Sequence, residues 1–120
     1  MNKEILIRRT KKFAHDCVKV ASNLPNNKLG FHISGQLIRC STSVAANYRA
    51  ANLAQSKQAF AAKLSIVIEE ADESEFWMEF AMEENILSPE VANPLIQEAH
   101  EIASILIASR KSIQTENNKS

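Results

Sequence analysis

"SKQAFAAKLSIVIEEADESEFWMEFAMEEN", residues 56–85, is the stretch on which the fold turns. It contains no glycine and no proline, so nothing in it interrupts a helix. Ser56 has the chemistry of an N-cap, and Asn85 that of a residue just past a C-terminus. Phe60, Leu64, Val67, Ala71, Ser74, Met78 and Ala81 recur at three- and four-residue spacing, one inward seam. At about 100° per residue the opposite side carries Ala62, Ile66, Glu69, Glu73, Phe76 and Phe80, with Trp77 at its edge. A helix of a lone bundle shows water a polar face. Bulky apolar residues there predict a second buried surface, made with another copy of the chain. The plainer alternative is a scatter of surface aromatics. The expected interface is Ile66, Glu69, Glu73, Phe76, Trp77 and Phe80.

Three further helices flank this one. Residues 2–24 place Leu6, Thr10, Phe13, Cys17, Val20 and Leu24 on one seam. The connection "NLPNNKLG", residues 23–30, cannot continue that helix. A second helix is expected from about Phe31 to Asn52, with a seam of Ile33, Leu37, Cys40, Val44, Asn47 and Ala51. The fourth opens at "SPE", with Ser88 as cap, Pro89 in the first helical position and Glu90 in the first turn. Its apolar face begins with Leu95, Ala99, Ile102 and Leu106, and Arg110 and Lys111 suit its C-terminal dipole. Short connections make consecutive helices antiparallel neighbours. The expectation is an all-α, up-down-up-down antiparallel four-helix bundle over residues 1–112, with a frayed tail over 113–120.

Within the second helix, "TSVAANYRAAN" (42–52) is nearly all small side chains. Val44, Asn47 and Ala51 face the seam, flanked by Ser43, Ala46 and Ala50 on one side and Ser41, Ala45 and Tyr48 on the other. Small flanks let neighbouring helices approach closely. Asn47 is then a core amide that sets register, and Arg49 points away from the seam.

The chain of 120 residues has 2 glycines, 3 prolines and a net charge of zero. Scarce breakers suit long helices. No apolar run reaches the roughly 18 residues of a membrane span, and the start lacks a signal-peptide pattern. A cytoplasmic chain without membrane partners is expected, with Cys17 and Cys40 as reduced buried thiols. The neutrality conceals a segregation. Residues 1–64 hold 11 Lys/Arg and two acids, a charge of +9. Residues 65–120 hold three Lys/Arg and 12 acids, a charge of −9. Such a split points to a polar partner or to self-association. Arg8, Arg9, Lys11, Lys12, Arg39, Arg49, Lys57 and Lys63 could contact phosphates of RNA or DNA. The alternatives are a solvated face or salt bridges between subunits. No base-stacking aromatics interleave with the cations, so any such binding would read little sequence.

Enzyme chemistry finds no support in these residues. A di-iron bundle needs Glu-x-x-His on two helices, but His15, His32 and His100 follow Lys12, Leu29 and Gln97 at that spacing. Ser41, Thr42 and Ser43 lie mid-helix without a nucleophile elbow, and seam cysteines are inert. Two glycines cannot build a phosphate loop. No catalytic residue, metal, cofactor or small-molecule substrate is expected.

"GQLIRCSTSVAANYRAAN" (35–52) followed by "SKQAFAAKLSIVIEEADESEFWMEFAMEENIL" (56–87) resembles the four-helix bundle family of bacterial 23S rRNA intervening-sequence proteins. Accessory variability proteins of diversity-generating retroelements are related to that family. The matching positions are Gln36, Leu37, Arg39, Ser43, Val44, Asn47, Tyr48, Arg49 and Ala50 in the first stretch. In the second they are Ser56, Phe60, Lys63, Leu64, Glu70, Ala71, Asp72, Glu73 and Trp77. The resemblance implies a homopentameric ring without enzymatic activity. Its retroelement members are basic and bind RNA and a reverse transcriptase. They often carry an arginine-rich turn after Asn-Tyr-Arg, where this chain has Ala51-Asn52-Leu53-Ala54-Gln55. The expected role is thus a homo-oligomeric, non-enzymatic bundle. A nucleic-acid adaptor using the basic surface of the first two helices is the alternative.

Overall fold

The structure, a computed structural model, describes residues 1–119 and the side chains of residues 1–116. Four helices follow one another: α1 (Lys3–Ser22), α2 (Lys28–Ala51), α3 (Lys57–Glu83) and α4 (Pro89–Lys119). Short polar side chains set three of the starts. Asn2 Oδ1 accepts from the Ile5 N–H at 2.9 Å, Asn27 Oδ1 from Gly30 at 2.8 Å, and Ser56 Oγ from Ala59 at 3.0 Å. Each satisfies a backbone donor that the first helical turn leaves without a partner.

α2 begins three residues before the expected Phe31, because Asn27 caps it. Gly30 in that first turn is required: a Cβ there would collide with the Pro25 carbonyl. α3 ends in a Schellman motif. Asn85 takes a left-handed φ of 60°, its N–H donates to Met82 O at 2.9 Å, and the Ile86 N–H donates to Ala81 O at 3.0 Å. At the start of α4 the Ser88 carbonyl accepts from Val91 and Ala92. Pro94 is tolerated inside the helix, although it withholds one backbone donor.

α4 also continues through residues 113–119, where polar composition predicts a frayed tail; Ser120, the last residue of that expected tail, lies outside the described residues. No glycine or proline stops the helix there, Ile113 is half-buried, and Glu116 reaches Lys57 at 2.8 Å.

α1, α2, α3 and α4 pack in sequence around the bundle, and the closing α1–α4 pair is the loosest. The body measures 53 × 22 × 21 Å. The seams of α1 and of α3 below Phe60 are buried, and Phe13, Leu37, Leu64, Met78, Ile102 and Leu106 are among the largest enclosed side chains. α2 departs from its expected seam at one point. Tyr48 is buried, whereas Asn47 is half-buried and donates to Ser43 O (3.0 Å) and Ser43 Oγ (2.7 Å) of its own helix. Both residues lie within a turn of Val44. The larger apolar surface goes inward, and the amide is satisfied locally rather than across helices.

Candidate interaction surfaces

The eight cations expected to form a basic face divide into two groups. Arg9 reaches from α1 to α4, with Nε and Nη2 each 2.7 Å from Glu98 and Nη2 2.8 Å from Glu101. Hydrogen bonding to Glu98 holds its pKa above the ordinary guanidinium value. Arg39 joins α2 to α3 through Glu70 at 3.0 Å and through Glu73. Lys12 pairs with Asp16 at 2.7 Å, and Lys57 pairs with Glu116. These four are neutralised inside the chain. Arg8, Lys11 and Arg49 are exposed and Lys63 is half-buried; none is in an ion pair among the described residues.

The acids divide in the same way. Glu73, expected at a subunit contact, is held by Arg39 of its own chain and accepts from Trp77 Nε1 at 3.4 Å. The Arg39 hydrogen bond draws its carboxyl below the usual range. Glu75 pairs with His100 at 3.0 Å, which raises the imidazole pKa. Glu69, Asp72, Glu79 and Glu83 are exposed with no such partner. Burial, then the charges of Glu75, Glu83 and Asp72, push the Glu79 carboxyl upward.

The outer side of α3 is only partly withdrawn from water. Trp77 and Phe80 are half-buried and lean on a small cluster of Leu24, Ile33 and Ala81 at one end of the bundle. Trp77 also meets His32 edge-on, with ring centroids 5.4 Å apart. Phe76 packs edge-on against Trp77 at 5.0 Å yet stays 51% exposed, and Ile66 stays 40% exposed. Other apolar residues are exposed as well, chief among them Leu53 (79%) at the α2–α3 turn and Phe31 (63%) in the first turn of α2. Phe31 stands at the expected start of α2 and Leu53 just past its expected end, where apolar periodicity gives no sign of exposure.

Small side chains open hollows on both sides of α2. A groove of about 540 Å³ runs between α1 and α2. Its floor is Ile7, Ala14, Val18, Ala45 and Ala46, and Lys11 and Arg49 stand at its rim. A second hollow, about 570 Å³, lies between α2 and α3 beside Leu53, Ala59, Ala62 and Ile66. The small residues of 42–52 thus shape outward surface as well as packing.

Cys17 and Cys40 are buried and unpaired, and burial pushes the Cys17 thiol up to about 12, far from a reactive thiolate. Among the described residues no three His, Cys, Asp or Glu side chains stand close enough to share a metal ion. No helix among them is long and apolar enough to cross a membrane.

A family model for the 23S rRNA-intervening sequence protein matches residues 2–108. The chain belongs to this family. A crystal structure of a protein with unknown function from the S23 ribosomal protein family of Bacteroides thetaiotaomicron VPI-5482 is similar over the whole bundle. Its TM-score is 0.85 at 32% identity, over 92% of this chain and 99% of that one. No curated protein matches. The family membership accounts for all four helices, since the matched residues run from the Asn2 cap to within α4.

Proposed function

We propose that the chain is a non-enzymatic, cytoplasmic subunit that assembles with copies of itself. The observation that carries this reading is the outer face of α3, where Phe76 and Ile66 remain in water beside unpaired carboxylates. Covering the exposed half of Phe76 is worth only about 1 kcal/mol. A stable contact buries about 1,200–2,000 Å² in total, so it must extend along the helix to Ile66 and the neighbouring acids. Acids on α3 and unpaired cations on α1 and α2 are unlike surfaces. Their contact is heterologous and repeats around a closed ring. Five copies is the number that the family resemblance implies.

Light scattering at micromolar concentration tests the reading. The expected mass is a multiple of 13.4 kDa, and Phe76→Glu, an exposed position, should bring it down to one chain with helicity unchanged. A wild-type monomer would end the proposal.

A second reading rests on Arg8, Lys11, Arg49 and Lys63, which keep their charge free for phosphates. It makes the chain a nucleic-acid adaptor of low sequence preference.

A further inference from the structure

The α1–α2 groove and the α3 ridge have complementary chemistry. The groove has an apolar floor of small and branched side chains, and no acid lines it. Its rim cations, Lys11 and Arg49, are exposed and find no carboxylate in their own chain among the described residues. On α3, Phe76 protrudes with Asp72, Glu79 and Glu83 along one flank. Those acids lie four residues before it and three and seven after it, the spacing of a single helix face. None of the three is neutralised by a described cation. An apolar knob flanked by carboxylates on one surface thus answers an apolar floor flanked by cations on another.

The other hollows fit the ridge less well. The groove between α3 and α4 is itself lined by Glu69, Asp72 and Glu75, and would repel more carboxylates. The hollow between α2 and α3 offers only Lys63 as a charge.

We infer that the α1–α2 groove receives the α3 ridge of a second copy of this chain, with Phe76 on its floor and Lys11 and Arg49 meeting Asp72, Glu79 and Glu83. The inference rests on the self-assembly reading and names the surface that completes it. Ridge and groove lie on different elements, so each copy carries one of each and presents the free one to the next.

Two groove variants test it: the double variant Lys11→Glu, Arg49→Glu and the single variant Ala46→Arg. All three positions are exposed, so the helical circular dichroism should match wild type. Each is expected to reduce the assembly to single chains in light scattering. A groove variant mixed with Phe76→Glu should then give 1:1 dimers, because one good groove and one good ridge remain. A wild-type monomer would remove both the assembly reading and this inference. A wild-type assembly left intact by both groove variants would overturn the groove alone, as would a mixture without dimers. Unchanged mass with loss of RNA retention would give the groove to nucleic acid and likewise overturn the inference.

Discussion

Tyr48 has 4% of its surface exposed, and its neighbour Asn47 lies half outside with both donor contacts on Ser43. These adjacent residues should respond very differently to truncation. Tyr48→Ala removes a buried ring and leaves a cavity, a loss of about 3 kcal/mol or more. Asn47→Ala removes only contacts within one turn and should cost under about 1 kcal/mol. Urea unfolding of the two variants measures both. A large loss at Asn47 would mean that its amide works across helices after all. Ser74 shows the other way to bury a polar group. Its hydroxyl lies 2.8 Å from Glu70 O and 3.2 Å from Cys40 Sγ, so a seam position tolerates a serine because the preceding turn accepts its proton. At this scale the sequence was informative about which residues are apolar and misleading about Asn47, which the seam spacing places inward of Tyr48 and the structure does not. Both fit the same turn, and only contact with the neighbouring helices separates them.

At the scale of the helix, the two ends of α3 were the most legible. Ser56 and Asn85 bracket α3 as their side-chain chemistry requires. The start of α2 is less legible because Asn27, the working cap, sits in a connection that also contains Pro25 and Asn26. Asn85 gives this scale its prediction. Its left-handed φ of 60° is open to glycine and costly for alanine. Asn85→Ala should lose about 1 kcal/mol, and Asn85→Gly should be neutral or slightly stabilising. Thermal unfolding of the pair reads the sign, and equal effects would show that the Schellman geometry does not matter to stability. α4 carries the opposite lesson. Ending it at Lys111 rested on charge and on a polar composition, but polar residues without glycine or proline can stay helical, and α4 runs to Lys119.

Across the whole molecule, the split between +9 and −9 halves is partly spent on the bundle itself. Arg9 and Arg39 tie α1 to α4 and α2 to α3, and what remains unpaired is what a partner can use. If RNA is that partner, one copy contacts it through Arg8, Lys11, Arg49 and Lys63. Neutralising four phosphates gives log K a slope of about −3 against log salt. Gel retardation over graded salt measures the slope, and Arg8→Glu with Lys11→Glu should abolish the retarded band. No retardation of RNA at about 50 mM salt removes this reading. The RNA and a second copy would compete for Lys11 and Arg49, so assembly should weaken retention. The sequence alone determined four helices, the Ser56 and Asn85 ends of α3 and nearly all of the buried seams. Those features depend on short-range periodicity and on the hydrogen bonds of single turns. Tertiary structure alone decided which charges stay free and where the grooves lie. Arg9 meets Glu98 across 89 positions of the chain, and the α1–α2 groove joins residues of two helices. Such encounters depend on how far each helix is rotated and slid against its neighbour, and an apolar repeat defines that only to within about one residue's width on the helix face.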